Sequence, residues 1–462
     1  MKQPVKKEEV LHRLVHKGKG AGYRLEPIED HLELAAIGLE SEFSVFLNGK
    51  PTKPEDIFKD PRDFVRGNLM HRQGTSYHMP NGGAIYFDTG VIEVATPVIE
   101  IERGCAARAG RSLWESILFL RRELDDWEKR TGNHIRLEGF STHYNISFDL
   151  PDHKAAKARG EKLVHDPKRT VWKLAKLLTY ILPFPVALLA ANKKSTGIGV
   201  RPRGNRIEIT ADFTPDPSLM IAATTLITGV VREVMTWRTF ELSELANHRL
   251  PVITPFTPIK HTSRKGYLAK YFCFEQNPFE ADVDDPCWRV TVQDHSEGMM
   301  SLRQISREVF RYFWRPIARL ADPFTFRLLS RVMNGHTPAL LDLSERPQAY
   351  EDVGRLCRWD DLFPERALSR SKYERVLIHA IAGERLRIGH SWYRPTSMKG
   401  WSKVVFVPVN GQADRDPNAD EPPRLVVPKG SDGKMEVQKK HIFSVDYLVR
   451  HLDNWGRRGA SQ

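Results

Sequence analysis

The sequence predicts an α+β fold: a curved antiparallel β-sheet with helices on its convex face, followed by a smaller, mainly α C-terminal region. Three observations predict it. The stretches 32–46, 135–148 and 206–212 read as strands, and each sets a same-face pair of polar side chains in otherwise apolar sequence. Two long stretches, 107–130 and 216–239, carry helix signals. Composition then changes near His261, beyond which polar, Pro/Asp-rich segments alternate with further helices. This divides the chain into an arm at 1–30, a sheet-bearing domain at 31–265, and a C-terminal helical region with a short strand hairpin at 266–462.

In chain order, residues 1–30 are basic and then mixed, which predicts a loosely packed arm. Lys2, Lys6, Lys7, Glu8 and Glu9 crowd the start with no apolar core behind them, so no secretory leader is expected. In 32–46, LELAAIGLESEFSVF, Glu40 and Glu42 stand two apart and project to one face. Two adjacent carboxylates repel, so either a divalent cation lies between them or the strand is a solvent-facing edge. The flanking Ala35, Ile37, Leu39 and Phe43 favour the cation.

The stretch 81–97, NGGAIYFDTGVIEVATP, reads as a hairpin entered through a Gly-rich turn. It carries Asp88 at the end of one strand and Glu93 on the small or apolar face of the next. Ionised groups in such surroundings ask for a metal or a substrate; the bland alternative is a turn Asp and a salt-bridged Glu.

In 107–130, Leu113, Ile117, Leu120, Leu124 and Trp127 form one apolar stripe, which assigns this helix to packing. The strand 135–148 includes FSTHYNISF, with His143, Asn145 and Ser147 on one face. His143 and Asn145 can ligate a metal or hold a phosphate, or they can be ordinary satisfied core groups. The basic segment 154–176, with Lys157, Arg159, Lys162, Lys168 and Arg169, reads as a solvated helix face or a landing surface for an acidic partner. The apolar run 177–191 contains Pro183 and Pro185 and is too short and broken to span a bilayer, so it predicts a buried helix and its turn.

In 197–212, GIGVRPRGNRIEITAD, a Gly/Arg-rich turn that includes Arg201 leads into a strand with Arg206 and Glu208 on one face. That pairing is either a plain ion pair or a guanidinium for phosphate oxygens beside a carboxylate for a metal. The helix 216–239 opens on Thr214, Asp216 and Pro217, which suit a cap and a first turn. Beyond it, 262–300 predicts an irregular crossover, 301–334 and 369–387 helices, 403–409 a strand, 410–428 a loop and 444–455 a final amphipathic helix.

Of the 462 residues, 70 are basic and 58 acidic, giving net +12, which favours anionic partners without choosing among nucleotide, nucleic acid and acidic polypeptide. The basic residues are scattered and no aromatic-basic RNA-binding motif occurs, so nucleic acid is not expected as the partner. Cys105, Cys273, Cys287 and Cys357 lie far apart without a CxxC pair, which fits reduced, cytoplasmic thiols better than zinc or a disulfide framework.

Glu40 with Glu42, His143 with Asn145, Arg206 with Glu208, and Asp88 with Glu93 together predict a concave sheet face holding a metal and a nucleotide. Carboxylate ligands point to Mg²⁺ or Mn²⁺ rather than zinc. GLESEF at 38–43, the D-x4-E-x-A-T-P pattern at 88–97, THYN at 142–145 and RIEI at 206–209 follow in the order and approximate spacing of the carboxylate-amine ligase superfamily. That superfamily includes glutamine synthetase, glutamate-cysteine ligases, and the Pup ligase with its sister depupylase. The resemblance covers roughly residues 35–240, and NGGAIYFDTGVIEVATP with RIEITADFTPDPSLMIAATTLIT looks most like the Pup ligase and depupylase branch.

The resemblance implies that 31–265 is a glutamine synthetase-like catalytic domain. Glu40, Glu42, Glu93, His143 and Glu208 would then hold Mg²⁺, with Arg206, Arg201 and Asn145 on the nucleotide and Asp88 as base. It implies an ATP-dependent ligase joining a glutamate-type carboxylate, small or carried on a protein modifier, to an amine such as a protein lysine. The alternative on the same scaffold is a deamidase or depupylase-like hydrolase. Only positions 43–80 separate the first acidic strand from the Asn-Gly turn, where depupylases carry a long extra loop, and this favours the ligase.

Overall fold

The computed structural model describes residues 33–149, 167–261, 266–291, 297–359, 371–409 and 440–456. The arm at 1–30, Lys157, Arg159 and Lys162 of the basic segment, and the loop at 410–428 lie outside the described residues.

The architecture is α+β around a large antiparallel sheet. Ten strands form its path: β1 (Glu33–Leu47), β2 (Met70–Gln73), β3 (Ser76–His78), β4 (Ala84–Asp88), β5 (Val91–Ala95), β6 (Ile135–Asp149), β7 (Gly197–Pro202), β8 (Arg206–Asp212), β9 (Ile259–His261) and β10 (Gly266–Lys270). Their spatial order is β9-β10-β7-β8-β6-β1-β5-β4-β3-β2, and two short strands pair with β1 in addition. The centre is the long pair β1 and β6, matched from Glu33 opposite Asp149 to Leu47 opposite Ile135. A bulge between Glu42 and Phe43 breaks that register beside the acidic pair.

One face of the sheet is apolar because the strands alternate. Ile37, Leu39, Phe43 and Val45 of β1, with Tyr144 and Ile146 of β6 and Ile207 and Ile209 of β8, share a single core with the helices. Helix α1 (Cys105–Thr131) gives that core Leu113, Ile117, Leu120 and Leu124 and ends on Gly132 in the left-handed region, two residues beyond the expected 107–130. Helices α2 (Pro167–Leu178) and α3 (Pro183–Ala190) divide the apolar run 177–191 at its first proline, with a bend of 67°. Helix α4 (Pro217–Val234) is capped by the Asp216 side chain, which accepts from the amides of Ser218 and Leu219. This helix is long and apolar enough to cross a membrane, but most of it is buried within the core.

Several expectations past residue 197 need correction. The Gly/Arg-rich turn is itself strand β7, hairpinned to β8 through 203–205, because alternating Ile198 and Val200 bury on the apolar side. The segment 262–300 is not simply irregular: β10 joins the main sheet beside β7, and Trp288–Thr291 lies between Val252–Ile253 and Glu297–Met300 in a small separate sheet. The predicted helix 301–334 is two, Leu302–Leu320 and Pro323–Met333, parted where Asp322 caps a fresh start at Pro323. The predicted helix 444–455 shrinks to Val445–Val449 between two short strands. A boundary at 265 separates the paired strands β9 and β10, and the main core continues through Leu302, Phe313, Leu341 and Trp359.

The second core starts only later. Val376, Leu377, Leu386, Met398, Phe406 and Leu448 cluster there with Met70 of β2, around a five-stranded sheet containing the hairpin Ser391–Lys399 and Lys403–Val409. Helix α5 (Lys372–Ile381) docks this region on the main sheet, and Glu100 accepts from the amides of Lys372 and Tyr373 at its start. Glu374 on α5 is buried, and burial together with the Glu115 charge pushes its carboxyl up to about 7 from 4.5. A raised folded value stabilises fully below about 4.5 and is lost as pH climbs through about 7. Glu374→Gln should therefore be more stable than wild type above pH 7, by at most about 3 kcal/mol, with the gap closing toward pH 4.5. Thermal melts of both proteins across that range check it, and a pH-independent gap overturns it.

Candidate active site

The polar face of the sheet is built in register. One row across the strands reads Tyr86, Glu93, Glu42, Ser141 and Asp212; the next reads Ala84, Ala95, Glu40, His143 and Thr210; a third reads Gly38, Asn145, Glu208 and Arg201. Glu40, Glu42, Glu93, His143, Asn145, Arg201 and Glu208, all expected from the sequence, stand on this one face and are buried. Period-two alternation puts them on a common side, and antiparallel pairing sets them abreast.

The site's β4–β5 side is held to helix α1 by the Asn-Gly-Gly turn. Asn81 donates to the Ser112 carbonyl at 3.2 Å and to Ser116 Oγ at 2.9 Å, and its own carbonyl accepts from the Gly83 amide. A Cβ at Gly83 would sit 2.6 Å from both the Ala95 carbonyl and Ser116 Oγ, so only glycine fits there. At the other end of the hairpin, Thr89 and Gly90 both have positive φ, a two-residue turn matched to strand twist. It leaves Asp88 exposed, with Thr89 Oγ1 donating to its carboxylate at 2.7 Å.

Two groups of ligand atoms each fall within 4.8 Å of one another: Glu40, Glu93 and His143, and Glu42, Asp88 and Glu93. Glu93 belongs to both. Tyr86 donates to Glu93 Oε1 at 2.5 Å, Ser141 to Glu42 Oε2 at 2.5 Å, and His143 Nδ1 lies 3.4 Å from Glu40 Oε2. Glu208 stands apart from both groups. It pairs with Arg201, with Arg203 at 3.3 Å and with Arg206 at 3.7 Å. Arg201 in turn comes within 3.5 Å of His143 Nε2, which links the arginines to the acids. Gly266 of β10 makes room for Arg201, since a Cβ there would meet its Cα at 2.9 Å.

The acids differ in how readily they carry charge. Burial pushes the Glu93 carboxyl far up, and the neighbouring Glu40, Glu42 and Asp88 push it further. Burial also opposes ionisation of Glu40, but His143, Arg206 and Asn145 outweigh it and hold the carboxyl at about 2. The His143 imidazole is disfavoured as a cation by burial, yet Glu40, Glu42 and Glu208 raise it above its ordinary value. The donor set fits hard divalent cations: four carboxylates and one imidazole in two overlapping groups that share Glu93, whose ionisation added positive charge would favour. Asn145 Oδ1, buried and without a hydrogen-bond partner, adds an oxygen acceptor in the row beside Glu40.

Sequence reasoning missed Tyr86, Ser141, Arg203 and Arg72. Tyr86 and Ser141 carried a signal, each two residues from Asp88 or His143 on the same face. Arg203 lay in the segment read as a turn. Arg72 carried none, and its guanidinium sits 5.0 Å from the centre of the Tyr86 ring.

No protein-family model matches the chain, and no curated protein matches it. Among solved structures, the chain is similar to one from the crystal structure of the complex between the prokaryotic ubiquitin-like protein Pup and its ligase PafA. The two share 11% identity and a TM-score of 0.40, over 81% of this chain and 87% of that one.

Proposed function

We propose that this chain is an ATP- and Mg²⁺-dependent ligase that phosphorylates a glutamate-type side-chain carboxylate and joins it to an amine. The observation that carries the reading is the pair of acidic groups sharing Glu93, with the arginines of β7 and β8 along one side. That arrangement suits a polyphosphate with its counter-cations, and Arg201, Arg203 and Arg206 would take phosphate oxygens. Glu40, Glu42, Glu93, His143 and Glu208 would hold the metal ions, Mg²⁺ or Mn²⁺, with Asn145 beside the nucleotide. Bound metal supplies charge neutralisation on the phosphates.

A carboxylate is a poor acyl donor, so the first step transfers the γ-phosphoryl of ATP to a donor carboxylate oxygen and releases ADP. The amine then attacks the carbonyl carbon of the acyl phosphate, inorganic phosphate leaves, and an amide or isopeptide bond remains. Asp88, exposed beside Glu42 and Glu93, takes the proton from the attacking ammonium. The donor is a glutamate-like molecule or a small acidic protein modifier, and the acceptor an amine such as a protein lysine. Incubation with labelled ATP, Mg²⁺, candidate glutamate donors and an amine acceptor should release ADP and phosphate stoichiometrically with the amide product. Cleavage of an amide or isopeptide substrate with only catalytic nucleotide overturns the ligase in favour of a hydrolase.

A further inference from the structure

Arg201 of β7, Arg203 of the connecting turn and Arg206 of β8 gather at Glu208, and of these Arg206 also acts on Glu40. A ligase of the kind proposed above also brings a second anion, the donor carboxylate, against the same buried acids. It needs positive charge on the opposite side, toward β4 and β5. Arg72 of β2 stands there, its guanidinium against the Tyr86 ring whose hydroxyl donates to Glu93, and its charge acts on Glu40 and Glu93 as well as on Arg206. Among the described residues no carboxylate lies within ion-pair distance of it.

Its geometry is that of a held fork. The Arg72 guanidinium lies 5.0 Å from the centre of the Tyr86 ring and 4.7 Å from that of Trp401. Nε is spent on Ser76 Oγ at 2.8 Å, which leaves the two terminal nitrogens for an anion. Trp401 comes from the turn between Ser391–Lys399 and Lys403–Val409, in the five-stranded C-terminal sheet. It also meets His78 edge-on at 5.1 Å, and His78 is itself fixed by the carbonyls of Gly82 and Gly83.

We propose that Arg72 receives the donor carboxylate, and that Trp401 of the C-terminal sheet is the positioning residue that holds its guanidinium against Tyr86. The inference rests on the ligase reading. It gives the C-terminal sheet a place in the site, because one of its residues forms a wall of the donor subsite.

The test uses the full-length protein with Mn²⁺ and a non-hydrolysable ATP analogue, and titrates L-glutamate and a short peptide ending in glutamate by calorimetry. Arg72→Ala should weaken carboxylate binding about ten- to a hundredfold, the loss of one charge-assisted pair, and leave nucleotide affinity unchanged. Arg72→Lys, which keeps the charge without the fork, should recover part of the binding and guards against misfolding of the alanine variant. Trp401→Ala should lose part of the affinity and Trp401→Phe should restore it. Equal carboxylate affinity in Arg72→Ala, loss of nucleotide affinity instead, or no carboxylate binding by the wild type each overturns the Arg72 assignment. Trp401→Ala with wild-type affinity overturns the positioning role. Absence of metal-dependent nucleotide binding in the wild type sinks the ligase reading instead, so the two failures are told apart.

Discussion

Glu93→Gln should stabilise the metal-free protein at neutral pH while abolishing its response to divalent cations. The two effects have opposite signs for one reason. Glu93 belongs to both acidic groups, and burial plus the charges of Glu40, Glu42 and Asp88 push its carboxyl well above the usual range. Without metal, the folded state ionises it less readily than the unfolded chain does. That costs stability wherever the pH exceeds the unfolded value, and glutamine removes the cost while still accepting from Tyr86. With metal, the same charge would be the ligand that both groups share. In the wild type, Mn²⁺ at about a hundred times its dissociation constant should add about 2.7 kcal/mol of stability. In the variant that gain should largely disappear, and turnover should fall about a hundred- to a thousandfold, the several kcal/mol of charge stabilisation a catalytic metal supplies. Melts with and without Mn²⁺, beside an ADP-release assay, check both halves. A variant that melts lower without metal and still gains stability with it would show these acids to be structural.

Much of this site was legible because a strand's side-chain period is two. Glu40 with Glu42, and His143 with Asn145, share a face for any strand that contains them, whatever its neighbours. What the sequence could not supply was register. That Glu42 faces Glu93 on one side and Ser141 on the other follows from which strands lie beside β1 and where the bulge after Glu42 falls. Of the partners of Glu208, Arg206 was legible on the same strand, but Arg201 was hidden for the same reason: it stands opposite Glu208 only because Gly197–Pro202 is a strand. Glycines in that segment hid the strand, and Gly266 likewise hid β10, although Gly266 is where the backbone must clear Arg201. Arg72 was invisible for a different reason. Its proposed role depends on Trp401, more than three hundred positions away in a turn of the C-terminal sheet. The amphipathic helices were readable because Leu113, Ile117, Leu120 and Leu124 bury on one stripe, while the 444–455 helix failed where pattern competed with strand pairing of His441–Ser444 and Trp455–Gly456.

Asp88→Asn should leave metal-dependent nucleotide binding nearly intact and reduce turnover with an alkyl amine about a hundred- to ten-thousandfold. Asp88 differs from the other acids in being exposed, at the last position of β4, while still within 4.8 Å of Glu42 and Glu93 ligand atoms. On the proposed reaction, an ammonium arriving from solvent would meet this carboxylate first, beside the acids that would hold the metal ions. Its three roles predict different outcomes. As a metal ligand, Asp88→Asn weakens cation and nucleotide binding together, as Glu93→Gln does. As a turn-capping residue paired with Thr89, it lowers stability and leaves turnover per folded molecule unchanged. As the base, it spares binding, and the loss depends on the amine: hydroxylamine is already unprotonated at neutral pH and needs no proton removed before it attacks. Turnover of Asp88→Asn with hydroxylamine should then approach that of the wild type, while turnover with lysine stays low. Equal loss with both amines removes Asp88 as the proton acceptor and leaves it a nucleophile or a water-orienting group, which is the chemistry a hydrolase on this scaffold requires.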